Sequence, residues 1–194
     1  MEKTKWSETV IVVQADYADR LAFDLTVNFE RMLGRRIPRA DLSQWLVCLA
    51  LDGGLAPGAN TVNVVLVHKG ENTQLENFSP SDYARDIDGQ AFTDSRLGEF
   101  LLNALPVEKL VGEFEFFEQV VETLLNAAEV KQLVVVPDAD DVAGLHGVLN
   151  HTEGKDVTVL TMEPRSFRGL RHEIVGYSLM NALGIRGEEL ESAR

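Results

Sequence analysis

Two apolar patterns alternate along the chain. Residues 9–15 (TVIVVQA) form a β-branched run with almost no polar interruption, the pattern of a strand covered on both faces, and the run ends at Asp16. From Asp19 onward Leu21, Leu25, Phe29, Met32 and Leu33 fall on one helical face, with Gly34 placed to cap its end. After Pro38, Asp41 can cap a second helix whose buried stripe is Leu42, Trp45, Leu46 and Leu49, stopped by Gly53-Gly54. Residues 61–67 (TVNVVLV) read as another strand. The periodicity then fails over residues 71–106, where turn residues dominate; this predicts loops, an edge strand near 73–78 and a short helix over 96–103.

The alternation resumes with a helical pattern over 107–129 carrying Phe117, Val120, Val121, Leu124 and Leu125. A strand at 133–136, the turn Pro137-Asp138-Ala139-Asp140-Asp141, a helix through Val142, Leu145, Val148 and Leu149, and a strand at 157–161 follow. A last helix is predicted over 171–183, ending at Gly184, with 185–194 as a frayed tail. Strands alternating with helices predict an α/β fold, three-layer α/β/α, with a mostly parallel sheet of four or five strands in one domain over 1–194. In such a sheet ligands bind at the carboxyl ends of the strands where the winding reverses.

Charge changes this picture. Among 194 residues, 31 are Asp or Glu and 18 are Lys or Arg, a net charge of −13. Residues 1–70 are balanced at 8 acids and 8 bases, residues 71–141 hold 16 acids against 4 bases, and residues 142–194 hold 7 against 6. The excess is therefore one block, and no broad basic surface remains for a long track of nucleic acid. The longest apolar runs are far short of the ~20 residues that cross a bilayer, which predicts no membrane span. Cys48 has no partner for a disulfide, and no secretory leader pattern is present, so a cytoplasmic location is expected. No Gly-x-Ser-x-Gly, P-loop or Gly-x-Gly-x-x-Gly motif occurs.

Two strands end in acid: the first at Asp16, the third at Asp138, followed by Asp140 and Asp141. If the two strands are neighbours, these carboxylates converge, and convergent carboxylates resist joint ionisation unless a cation sits among them. Asp16, Asp138 and Asp140 are then candidate ligands for Mg²⁺ or Mn²⁺, hard ions that prefer oxygen. A second role is open: Asp138 or Asp140 capping the helix that begins near Val142. Arg165, Arg168 and Arg171 follow the fourth strand and are candidates to hold a phosphate, while Arg31, Arg35, Arg36 and Arg39 fall near the opposite edge, suited to structure or partner contact. His68 ends the second strand and is placed to enter the site, but no histidine pair has metal-ligand spacing.

Residues 134–145 (VVVPDADDVAGL) resemble the third block of NYN domains, the PIN-like ribonuclease group, in which a strand leads into Ser-Gly-Asp-x-Asp-Phe. Asp138 and Asp140 match the two aspartates, Gly154-Lys155 with the following strand matches the turn and strand beyond, and Asp16 matches the aspartate that closes the first strand. The likeness covers residues 9–30 and 112–161, and the chain resembles a divergent member of an uncharacterised bacterial family. It implies Mg²⁺- or Mn²⁺-dependent cleavage of short RNA, with Asp16, Asp138, Asp140, Asp141 and a helix acid, Glu118 or Glu122, as the catalytic group. Val136-Pro137 replaces the Ser-Gly, and Asp141 the Phe, which removes a hydroxyl donor and a flexible turn. The alternative is a non-catalytic interaction module that keeps the fold and pairs, through its acidic middle block, with a basic protein or a second copy of the chain.

Overall fold

Every residue of β1 (Thr9–Gln14) is buried, as expected of a β-branched run that has helices on both sides. The computed structural model describes residues 5–150 and 152–193. After β1 come α1 (Ala15–Leu33), the two-residue β2 (Ala40–Asp41), α2 (Leu42–Asp52) and β3 (Asn60–Lys69). They are followed by β4 (Phe78–Ser79), β5 (Ala91–Asp94), β6 (Gly98–Val107), α3 (Glu113–Asn126) and β7 (Gln132–Val136). The chain finishes with α4 (Val142–Val148), β8 (Asp156–Thr161), β9 (Arg171–Ile174), α5 (Val175–Ala182) and α6 (Gly187–Ser192).

The main sheet has seven strands in the order β5-β6-β3-β1-β7-β8-β9, and only β5 is antiparallel to its neighbour. The mostly parallel α/β architecture agrees with the sequence pattern, but the sheet is larger than the four or five strands expected. The chain first winds outward from β1 through β3 to β6, then crosses back over α3 to β7 and winds the other way to β9. The reversal falls between β1 and β7, which pair in parallel from Thr9↔Gln132 to Val13↔Val136. Alternate residues of β1 face opposite layers: Ile11 and Val13 pack with α1, α2 and α5, whereas Val10 and Val12 pack with α3 and α4. Among the described residues no helix is long and apolar enough to cross a membrane.

Three segments depart from the expected elements. Residues 96–103, expected as a helix, open the ten-residue strand β6, which pairs with β3 from Asn60↔Gly98 to Lys69↔Val107. Phe100 and Leu102 face the core while Leu101 and Asn103 are only partly covered, a period of two too short to stand out within a poorly patterned stretch. Residues 171–174, expected as the start of the last helix, form β9 beside β8. The expected frayed tail contains α6, where Arg35 Nε and Nη2 reach Glu189 at 2.7 and 2.9 Å. The edge strand expected at 73–78 is reduced to β4, which pairs with β2 outside the main sheet.

Gly98 is required where β6 begins. Its φ is +106°, and a Cβ there would overlap the Asn60 carbonyl oxygen and stand 2.6 Å from the Asn60 nitrogen, both backbone atoms with little room to shift. Gly98→Ala is expected to lose at least about 2 kcal/mol of stability in urea unfolding. Gly147, on α4, is the control: a Cβ at that position would meet no atom within 4 Å, and Gly147→Ala should be neutral or up to about 1 kcal/mol stabilising.

Candidate functional site

The winding reversal brings the ends of β1 and β7 into one crevice, and three segments deliver carboxylates to it: α1, the turn after β7, and α3. β1 runs into α1 without a loop, so Asp16 lies in the first turn of that helix. The capping position before α1 is Gln14, whose side chain does not cap the helix; its Oε1 accepts instead from the Asp138 N–H and ties the two strand ends together. β7 ends at Val136, and Pro137 leads to Asp138, which caps the short turn Ala139–Asp141 by accepting from the Asp140 N–H at 2.9 Å. Asp138 therefore caps the turn that leads into α4, while α4 itself begins after Asp141 without a side-chain cap.

Each acid is compensated from within the chain. Asp138 is buried, and its Oδ2 pairs with Arg20 Nη2 at 2.8 Å. Arg20 comes from the second turn of α1, is largely exposed, and lies over the Tyr17 ring at 5.6 Å. The Tyr17 phenol is held above its ordinary pKa by burial and then by the charge of Asp138. Asp16 accepts from the Lys69 N–H at 2.7 Å and from Asn72 Nδ2 at 2.6 Å, which turns it toward the end of β3. Glu113, in the first turn of α3, pairs with Lys69 Nζ at 3.7 Å. Its carboxyl is raised by burial, opposed by Lys69, and raised further by Asp16 and Asp138.

Asp141 has no ion pair among the described residues. It is 2% exposed, and among the described residues its Oδ2 has no hydrogen-bond partner. Burial, then a hydrogen bond to Glu118 and the charges of Glu118, Asp138 and Glu113, push its carboxyl up to about 8. Gly144 makes the room for this pair: a Cβ there would overlap Glu118 Oε1 and stand 3.2 Å from Asp141 Oδ1. Of the two helix acids, Glu118 faces the site and Glu122 is exposed to solvent. Asp140 is also exposed and contributes its backbone N–H to the site.

The three arginine candidates divide between the two edges of the sheet. Arg165 and Arg168 are exposed on the connection from β8 to β9. Arg171, expected beside the acidic turn, is at the amino end of the sheet, where its Nη2 meets Asp156 Oδ2 at 2.5 Å and the Gly53 carbonyl at 2.8 Å. β9 starts there because the parallel connection from β8 must return across the sheet. Arg20, Gln14, Glu113 and Lys69 are site residues the sequence pattern does not single out; Arg20 reads as one more charge on an amphipathic helix, and Glu113 gains meaning only once β6 is known to end just before it.

The donor chemistry, all hard oxygen, suits Mg²⁺ or Mn²⁺. The arrangement does not fit such an ion. Both oxygens of Asp16 and of Asp138 are engaged by the chain's own donors, and among the described residues no group of three His, Cys, Asp or Glu side chains is placed to hold a metal.

Fold and site together define a doubly wound α/β protein with an acid-lined, internally compensated crevice at its switch point. The chain belongs to a family of unknown function, DUF6621, which matches residues 3–190. No curated protein and no solved structure matches it.

The Asp141 carboxyl, ordinarily near 3.8 and pushed up to about 8, binds its proton more tightly in the folded state. Stability should therefore fall as pH rises from about 4 through about 8, as Asp141 is made to ionise beside Glu118, Glu113 and Asp138. Melting temperatures measured from pH 6 to 9 should decline in the native protein and flatten in Asp141→Asn, which keeps the hydrogen bond to Glu118 without the charge.

Proposed function

We propose that this protein is a divergent PIN/NYN-like interaction module, which keeps the acidic crevice but compensates it with its own side chains and engages a basic protein partner. The observation that carries this reading is the ion pair of the buried Asp138 with the exposed Arg20, at the position where a catalytic ion would otherwise be needed. With each oxygen of Asp138 and Asp16 already accepting from a donor of the chain, the electrostatic demand of the crevice for a divalent cation is reduced. The block 71–141 carries 16 acids against 4 bases, and this excess charge favours a basic segment of another protein.

A second reading is favoured by one observation. Asp141 and Glu118 are packed against each other with an Asp141 oxygen unpartnered among the described residues, an arrangement that costs stability and serves no evident packing need. It suits a Mg²⁺- or Mn²⁺-dependent ribonuclease acting on short RNA, in which Asp16, Asp138 and Asp140 would hold the metal and Arg165 and Arg168 the phosphates. Arg20 would have to leave Asp138 for that site to form.

The two readings separate in one experiment. Thermal unfolding of the native protein should be unchanged by millimolar Mg²⁺ or Mn²⁺, a short labelled RNA should stay intact, and Arg20→Ala should cost about 1–2 kcal/mol by exposing the buried Asp138 charge. A metal-dependent rise in melting temperature that disappears in Asp138→Asn, together with RNA cleavage, would establish the ribonuclease instead.

A further inference from the structure

On the side of Asp16 away from β7, a pocket of about 450 Å³ opens at the carboxyl ends of β3 and β6. The buried His68 lines it, with its ring stacked on Tyr83 at 3.7 Å between centroids and 7° from parallel. His68 Nδ1 lies 2.8 Å from the Lys69 carbonyl oxygen. A carbonyl can only accept, so Nδ1 carries the proton and Nε2 of the neutral ring is an acceptor.

The other polar groups leave mainly acceptors free. Asn72 uses one N–H of its Nδ2 on Asp16, which leaves its Oδ1 as an acceptor beside one remaining N–H. Asp82 holds the Arg85 N–H at 2.8 Å and Asp88 holds the Ala104 N–H at 3.0 Å, each through Oδ1, so each keeps Oδ2 uncommitted among the described residues. Of the lining side chains, the hydroxyls of Thr73 and Tyr83 and the second N–H of Asn72 can still donate, and among the described residues no Lys or Arg lines the pocket. Between these acceptors the wall is apolar, formed by Ala84, Ala104 and Pro106. The pocket therefore presents two negative charges and several free acceptors around a short hydrocarbon surface.

We propose that this pocket receives the side chain of an arginine from the partner protein. A guanidinium has five donors and no acceptor, is planar and permanently charged, and its methylene stem can lie along the apolar wall while its head meets Asp82, Asp88 and His68 Nε2. The volume accommodates one such side chain with room for its backbone at the mouth. This names the recognition element of the basic partner; it rests on the interaction-module reading for the source of the arginine but not for the chemistry of the pocket.

The test titrates the full chain calorimetrically with N-acetyl-arginine amide, with the citrulline analogue of the same shape and no charge, and with a short peptide carrying one arginine. The double variant Asp82→Asn with Asp88→Asn keeps the Oδ1 acceptors that hold Arg85 and Ala104, so the local fold is retained while the charge is removed. Arginine amide and the peptide are expected to bind the native protein, more weakly as salt rises, and about tenfold or more weaker in the double variant, with the citrulline analogue similarly reduced. Absence of binding to the native protein, equal binding by the citrulline analogue or the double variant, or failure of the peptide where the amide binds would overturn the proposal. A metal-induced rise in melting temperature would count against the module reading of the crevice and leave this titration fully readable.

Discussion

Placing β1 beside β7 is the constraint on which the rest of the site depends. Both strands end in acid, and the parallel pairing from Thr9↔Gln132 to Val13↔Val136 obliges those ends to share one crevice. Carboxylates brought together in a partly buried place must be compensated, and three different means are used within a few residues. Asp138 takes a guanidinium from α1, Glu113 takes an ammonium from the end of β3, and Asp141, packed beside Glu118, has its carboxyl pushed toward the protonated form. Gln14 joins the two strand ends by receiving the Asp138 N–H, at the expense of leaving its own Nε2 without a partner among the described residues.

This compensation divides the carboxyl edge into two regions with different chemistry. Toward α3 and α4, Asp138 and Asp141 are buried, with Glu113 and Glu118 half-buried beside them. Toward β3 and β6 the chain of contacts runs from Asp16 through Asn72 to the pocket beside His68 and Tyr83, where acceptors are left over. The ordinary expectation for a doubly wound sheet is that function sits at the switch point itself. Here, among the described residues, unpartnered polar atoms remain at the switch point, on Gln14 and Asp141, and further acceptors lie one strand further out, around His68.

Much of the fold was legible in the chain. β1, β3, β7 and β8 are continuous apolar runs, and α1 and α2 carry clear helical stripes, because burial on two faces or on one leaves distinct periods. β6 and β9 were not legible, since each derives its place from a neighbour: β6 from a ten-residue register with β3, β9 from four residues beside β8. The candidate site divides in the same manner. Asp16, Asp138 and Asp141 announce themselves by following strands, whereas the helix face offers Glu118 and Glu122 alike and only the packing separates them. Arg20 does not, because its distance from Asp138 spans 118 residues of sequence and 2.8 Å of space.

By itself, then, the sequence determined that apolar strands alternate with helices and that acids terminate two of those strands, since both are local properties of side-chain type and spacing. Tertiary structure alone decided which acids meet, which cations reach them and which oxygens remain free. Those outcomes depend on strand order, and strand order follows from the burial of two helix layers against both faces of a single sheet. An aspartate after a strand carries the same charge whether it coordinates an ion, caps a turn or pairs with an arginine; only its neighbours across the crevice distinguish these roles.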